Sequence, residues 1–267
     1  MGPGLYNMDC MEAMKQFPDG FFDLAIVDPP YGGGFRQDDD TATSLRGGGG
    51  TDWQRKERGR WGQRFDRYHI GGPDGRHMGE EILKGTTGAA DIRHWDVAPP
   101  QEYFDELARV SKDQIIWGGN YFDLPPTRCF IVWDKGIAEK FSMAMCEYAW
   151  TSFNANAKLF RCMPQGKKGE ERFHPTQKPV SLYTWLLKLY AKQGMKILDT
   201  HVGSASSLIA CHRAGIDAWG YEIDPTYYKM AMERLERECA QVGLYSLMDG
   251  QTGDKLDQMG IFDIMEG

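Results

Sequence analysis

The six cysteines, Cys10, Cys129, Cys146, Cys162, Cys211 and Cys239, form no Cys-x-x-Cys pair. That excludes the common zinc modules and a disulfide framework, so no metal is expected and the thiols read as reduced and mostly buried. No apolar run reaches the roughly 18 residues of a membrane helix. Met1 to Asp9 lacks the basic and apolar blocks of a secretory leader. The expectation is a soluble, cytoplasmic protein with no membrane partner. Positive charge is also in short supply. The formal net charge is −7, which argues weakly against a polyanionic partner, because such binding works through Lys and Arg. The basic residues are clustered, however. Between Arg46 and Arg76 there are eight Lys or Arg against four Asp or Glu, so a basic patch on an acidic body is allowed.

What is present suits a packed core. Apolar residues make up 41% of 267 positions, and one run of elements spans most of the chain. The reading is a single domain, 1–267, with an inserted region at 32–97. Phe22 to Val27 is an apolar run stopped by Pro29 and Pro30, which predicts a buried strand. Residues 32 to 97 are rich in Gly, Arg and Asp and show no amphipathic period, so they read as a recognition loop or a flexible segment. Beyond them, helical spacing of Tyr103, Phe104, Leu107 and Val110 predicts a helix. Strands follow at 114–117, 129–133, 146–153, 195–198 and 218–221, and helices at 181–190, 206–213 and 226–238. Strands alternating with helices predict an α/β fold with a mostly parallel sheet.

Three constellations carry chemistry. The first, Asp28-Pro29-Pro30-Tyr31, sits at the C-terminal end of a buried strand, where open α/β sheets bind ligands. Paired prolines hold the chain extended and remove two donors, leaving carbonyls and the Asp28 carboxylate as acceptors. Tyr31 adds an aromatic face. Such a site suits an aromatic amine, whose lone pair is delocalised until acceptors draw on its hydrogens. The second is Asp199-Thr200-His201-Val202-Gly203-Ser204-Ala205, followed 19 residues after Gly203 by Glu222. An acid, a small-residue turn, a helix and a second acid make a nucleotide-binding unit. The turn lacks G-x-G-x-x-G, with Ala205 in place of the second glycine, which leans away from a diphosphate ligand. The third is His174-Pro175-Thr176-Gln177-Lys178-Pro179, a rigid lead-in to a helix, from which Lys178 could reach a carboxylate.

Along the chain, Asp28 to Tyr31, then His174 to Pro179, then the Asp199 turn, the three motifs resemble the beta-class amino-methyltransferases of DNA, which act on adenine N6 or cytosine N4. The resemblance runs from Leu5 to about Glu238, apart from the insertion. Gly118 to Phe122, Val132 to Lys135 and Glu147 to Thr151 are similar to further family segments, common in phage- and prophage-borne modification enzymes. It implies an S-adenosylmethionine-dependent methyltransferase fold, Rossmann-like, circularly permuted, with a seven-stranded sheet. It implies catalytic roles for Asp28, Pro29, Pro30 and Tyr31. Asp9 and Cys10 match a segment near the cofactor's adenine, Asp199, Gly203, Ser204 and Ala205 the cofactor turn, and Glu222 the ribose-binding acid. Thr176, Gln177 and Lys178 match the segment at the methionine end. The turn departs from the family's Pro-Phe-x-Gly-Ser-Gly.

The partner so implied is double-stranded DNA, with the target base flipped out. Arg55, Arg60 and Arg64 are candidates for phosphates or base edges, with Trp53, Trp61, Phe65 and Tyr68 for stacking. Family members are often dimers and can accompany a restriction nuclease. The Asp in the first motif position favours adenine, and cytosine N4 stays open. A methyltransferase of RNA or of a protein amide is a rival, as is a non-catalytic partner in a methyltransferase dimer. A nicotinamide enzyme leaves the first motif unexplained.

Overall fold

The computed structural model describes residues 1–32, 97–137, 144–164, 172–174 and 176–248, with side chains of the last helix described to residue 240. The chain divides into two units, Met1–Tyr31 with Ala98–Gly267, and Gly32–Val97. The sheet and the three motifs belong to the first unit, and the arginines 55, 60 and 64 lie outside the described residues.

The elements in chain order are β1 (Gly4–Asn7), α1 (Cys10–Met14), β2 (Phe22–Val27), α2 (Gln101–Val110), β3 (Ser111–Trp117), a 3-10 turn (Gly119–Tyr121), β4 (Ile131–Asp134), β5 (Cys146–Thr151), β6 (Lys158–Arg161), α3 (Val180–Tyr190), β7 (Lys196–Asp199), α4 (Ser206–Arg213), β8 (Asp217–Glu222) and α5 (Pro225–Met248). One sheet runs β1-β8-β7-β2-β3-β5-β4-β6. β5 runs against both its neighbours, and the other pairings are parallel. Among the described residues no helix is long and apolar enough to cross a membrane.

The sheet has eight strands where seven were expected. The extra one is β6, paired with β4 at the sheet's edge. Three of its four residues are exposed, and Lys158 and Arg161 flank the apolar pair between them. A short, charged edge strand of this kind carries no apolar run to announce it and resists pairing with another chain.

Period-two alternation divides the core. On β2, Leu24 and Ile26 face one layer with Leu182 and Leu186 of α3 and Ile209 of α4. Ala25 and Val27 face the other, with Ala13 and Met14 of α1 and Tyr103, Leu107 and Val110 of α2. Covered on both faces, β2 and β3 are apolar without interruption through Ala25–Val27 and Ile115–Trp117. A smaller cluster of Leu5, Val202, Ala205, Leu208 and Ala231 seats α5 beside β1.

This architecture brings distant residues to one edge. β1, β8, β7, β2 and β3 are parallel, so their C-terminal ends lie together. Asn7 is level with Glu222, Asp199 with Gly220, Ala25 with Leu198, and Val27 with Ile116. Asp9, Glu222, Asp199 and Asp28 therefore follow one another along a single rim. In open α/β sheets that rim is the ligand side.

Candidate active site

Asp28 leaves the end of β2 and is held in place from both sides. One carboxylate oxygen accepts the Tyr31 hydroxyl at 2.8 Å, and the other is ion-paired to Lys178. Pro29 is buried behind them, and Pro30 continues the turn to Tyr31. The Tyr31 ring lies against the backbone of Gly118. A Cβ on that glycine would come within 2.1 Å of the ring, and its φ of +68° is left-handed, so glycine is required there twice over. Tyr121, 63% exposed, stacks on Tyr31 with ring centroids 4.9 Å apart and planes 19° apart.

Lys178 was expected to reach toward a cofactor carboxylate. Its ammonium instead bridges two carboxylates of the chain, Asp28 and, at 3.1 Å, Glu147. Glu147 in turn meets Lys135 at 2.8 Å. Burial pushes the Asp28 carboxyl above its ordinary range, with Lys178 opposing and Glu147 adding. Burial would also raise Glu147, but Lys178 and Lys135 together hold it below its usual value. For Lys178 burial favours the neutral amine, yet the two carboxylates override it and keep it protonated. Two acids and two ammoniums thus balance in a desolvated line.

The second constellation lies on the next two strands along the rim, β7 and β8. Asp199 is buried. One oxygen accepts the His201 N–H at 3.0 Å and the other the Ser207 hydroxyl. Burial, reinforced by Asp28 and Glu222, pushes its carboxyl up to about 7. Glu222 is only partly buried. Its oxygens accept backbone N–H groups from Gly203 and Asp224, each at 2.9 Å, and burial raises its carboxyl. Each oxygen keeps a further lone pair for a ligand hydroxyl. Gly203 turns at φ +53° under the His174 ring, which a Cβ would meet at 3.2 Å. Ser204 is buried, its hydroxyl 3.1 Å from that of Ser206. Ala205 adopts φ +63° as the residue before α4, a conformation costing a non-glycine residue roughly 1–2 kcal/mol.

The third motif sits beside the second. His174 meets the Tyr227 ring edge-on at 4.4 Å. Thr176 is exposed, and its hydroxyl is 3.2 Å from His174 Nδ1. Gln177 is buried and accepts the Phe173 N–H at 3.3 Å. At the far end of the rim Asp9 caps α1, accepting from the N–H groups of Met11 and Glu12. Cys10 follows it, its thiol pushed up to about 12 by burial and by Asp9.

Several contributors escaped the sequence reading. Glu147 and Lys135 lie in segments whose family likeness was visible, but nothing local announces that they meet Lys178. Arg234, buried on α5, donates to the Ser204 carbonyl at 2.7 Å and so ties α5 to the cofactor turn. Tyr103 of α2 bonds the Thr200 hydroxyl at 2.6 Å.

The rim offers carboxylates where a diphosphate would demand N–H donors and cations. The partly exposed Glu222 suits a ribose diol, and three acids in line suit a sulfonium. The residues present therefore fit S-adenosylmethionine. Residues 132–233 match the N6_N4_Mtase family model, described as DNA methylase. Over those residues the chain is similar to DNA methylases of the N6/N4 type. The type II methyltransferase M.HpaI of Haemophilus parainfluenzae is 37% identical over 65 residues, 24% of this chain and 21% of that protein, so the match spans about a fifth of the relative's length. YubD of Escherichia coli (strain K12) is 23% identical over 235 residues, covering 85% of this chain and 87% of that protein. The structure of PvuII DNA methyltransferase (cytosine-N4-specific) superposes with a TM-score of 0.50 at 9% identity, over 91% of this chain and 93% of that one. The sheet unit has the fold of S-adenosylmethionine-dependent methyltransferases, with the Asp28 motif ahead of the Asp199 turn in the chain.

Proposed function

We propose that the protein methylates adenine N6 in duplex DNA. The observation that carries this reading is the Asp28 carboxylate, bonded to the Tyr31 hydroxyl and opening on the same rim as Asp199 and Glu222. When bound, S-adenosylmethionine supplies an electrophilic methyl group on sulfonium. Glu222 accepts hydrogen bonds from the ribose hydroxyls, and the small residues Gly203, Ser204 and Ala205 let the ligand approach the turn. Asp9 and Cys10 border the adenine end, and Thr176 and Gln177 border the methionine end.

The target base is extruded into the space beside Tyr31, which fixes its plane by stacking. Asp28 and the carbonyl beside Pro29 accept the two amine hydrogens. That draws the nitrogen toward tetrahedral geometry and localises the lone pair that attacks. Asp28 then takes up the proton released by the new secondary amine. A cytosine N4 can be held by the same acceptors, so the base is decided by nucleoside analysis. Mass spectrometry of DNA methylated by the purified protein is expected to give N6-methyladenine, and 4-methylcytosine in its place would overturn the adenine reading. Asp28→Ala is expected to lower transfer at least about 10³-fold, while calorimetry still detects the cofactor. Full transfer by that variant would remove the mechanism.

DNA is read, on this proposal, by Arg55, Arg60 and Arg64 of the inserted region, on phosphates or guanine edges.

A further inference from the structure

Lys178 stands at the centre of the third motif, and its surroundings are unusual for a ligand-binding lysine. Its side chain is 2% exposed. It lies 5.2 Å from the centroid of the Trp117 ring and is bracketed by the carboxylates of Asp28 and Glu147. Behind Glu147 stands Lys135, whose side chain is 8% exposed. The four groups come from four places: the end of β2, the lead-in to α3, the start of β5, and the residue after β4.

We propose that Lys178, braced by Glu147 and Lys135, is a positioning residue that holds the Asp28 carboxylate charged and aimed, rather than a ligand for the methionine end of the cofactor. The inference rests on the reading of Asp28 given above. A carboxylate that must accept an amine hydrogen has to be ionised and fixed in orientation, and burial works against both. A lone buried carboxylate protonates. An ammonium against one of its oxygens keeps it ionised and leaves the Tyr31-bonded oxygen at a fixed angle. Glu147 holds the ammonium from the other side at 3.1 Å, and Lys135 neutralises Glu147, so the array keeps one net positive charge opposite the Asp28 carboxylate.

The remaining groups acting on Asp28 are accounted for. Tyr31 from the turn donates to it. Tyr183 of α3 and Tyr103 of α2 are held neutral by burial. Asp199, at the end of β7, adds a carboxylate that makes ionisation harder. Among the described residues that act on Asp28, Lys178 supplies the countering cation.

The test reads Asp28 directly. Full-length protein carrying ¹³C-labelled aspartate carboxyls is titrated, with Asp28→Asn identifying the resonance. In Lys178→Met the midpoint of Asp28 is expected to rise by about 1 to 3 pH units. The acid limb of kcat should rise with it, so activity lost at neutral pH returns in alkali. Lys178→Arg should restore most of the shift. Glu147→Gln removes the opposing carboxylate and is expected to move the midpoint the other way, downward. General structural damage would not produce shifts of opposite sign, so Glu147→Gln and Lys178→Arg decide the matter even if Lys178→Met fails to fold. Calorimetry with S-adenosylmethionine should show affinity changed by less than about two-fold in each variant. An Asp28 midpoint unmoved by these substitutions, or a tenfold loss of cofactor affinity with Asp28 unmoved, would overturn the proposal. A wild-type protein that methylates no DNA would instead sink the functional reading, while the titration would still decide the role of Lys178.

Discussion

His201 occupies a position where the resembling family carries phenylalanine, and the substitution leaves a signature in pH. The ring is partly buried, its Nδ1 lies 2.9 Å from the Thr200 hydroxyl, and burial lowers its pKa from 6.5 to about 4, with Asp9 opposing. His174 is lowered to about 4 by burial and Lys178. The folded protein therefore binds fewer protons than the unfolded chain between these values. The stability contributed by the neutral rings is whole above pH 6.5 and is lost as pH falls through 4. Asp199 has the opposite sign. Its folded value near 7 lies above the ordinary 3.8, so its contribution is whole below pH 3.8 and is lost as pH rises through 7. His201→Phe is expected to shrink the fall in melting temperature between pH 6.5 and 4 and to leave the alkaline side unchanged, as read by thermal melts across pH. An acid limb identical to wild type would contradict the burial of that ring. These residues also mark the limit of what sequence reveals. Asp28, Asp199 and Glu222 stood out because each ends an apolar run or precedes a small-residue turn. Lys178 stood out for its motif but was given a different partner, because a pairing with Glu147, 31 positions earlier and on another strand, leaves no local trace.

At the scale of elements, the turn between β3 and β4 shapes the wall of the site. Gly118→Ala would place a methyl group 2.1 Å from the Tyr31 ring on a left-handed backbone. Strain of about 1–2 kcal/mol and overpacking of about 1–3 kcal/mol should lower the melting temperature. The displaced Tyr31 should reduce kcat more than tenfold while cofactor affinity holds, and single-turnover kinetics beside calorimetry would check this. Tyr121 presents a simpler case. It covers one face of Tyr31, so it must yield or become the second wall when a base enters. Tyr121→Ala should raise KM for DNA several-fold with kcat little changed. Most elements were legible, for identifiable reasons. The helix 206–213 carries its own boundaries, and the runs ending at Val27, Trp117 and Leu198 are apolar because both faces of the sheet are covered. The 129–133 strand begins two residues late, at Ile131, where the Cys129 carbonyl is taken by the Thr151 hydroxyl instead of a neighbouring strand. The exposed strand β6 offered no pattern at all.

The whole molecule is an acidic body, and its proposed substrate is a polyanion. If Arg55, Arg60 and Arg64 contact phosphates, replacing all three with alanine should flatten the slope of log K against log salt by about 2 to 3. Fluorescence anisotropy on a DNA duplex would measure it, and an unchanged slope would place DNA contact elsewhere. The order of strands across the sheet was not legible in the sequence. It depends on which parallel edges meet, and those edges are far apart in sequence. That arrangement dictates a timetable for synthesis. β1 is made before every other strand of the sheet, yet its neighbour is β8, and β2 must wait for β7. The cofactor floor cannot assemble until about residue 222 has left the ribosome. Until then the nascent chain carries an open, apolar sheet edge, and the protein should depend on chaperones more than an unpermuted chain of the same size.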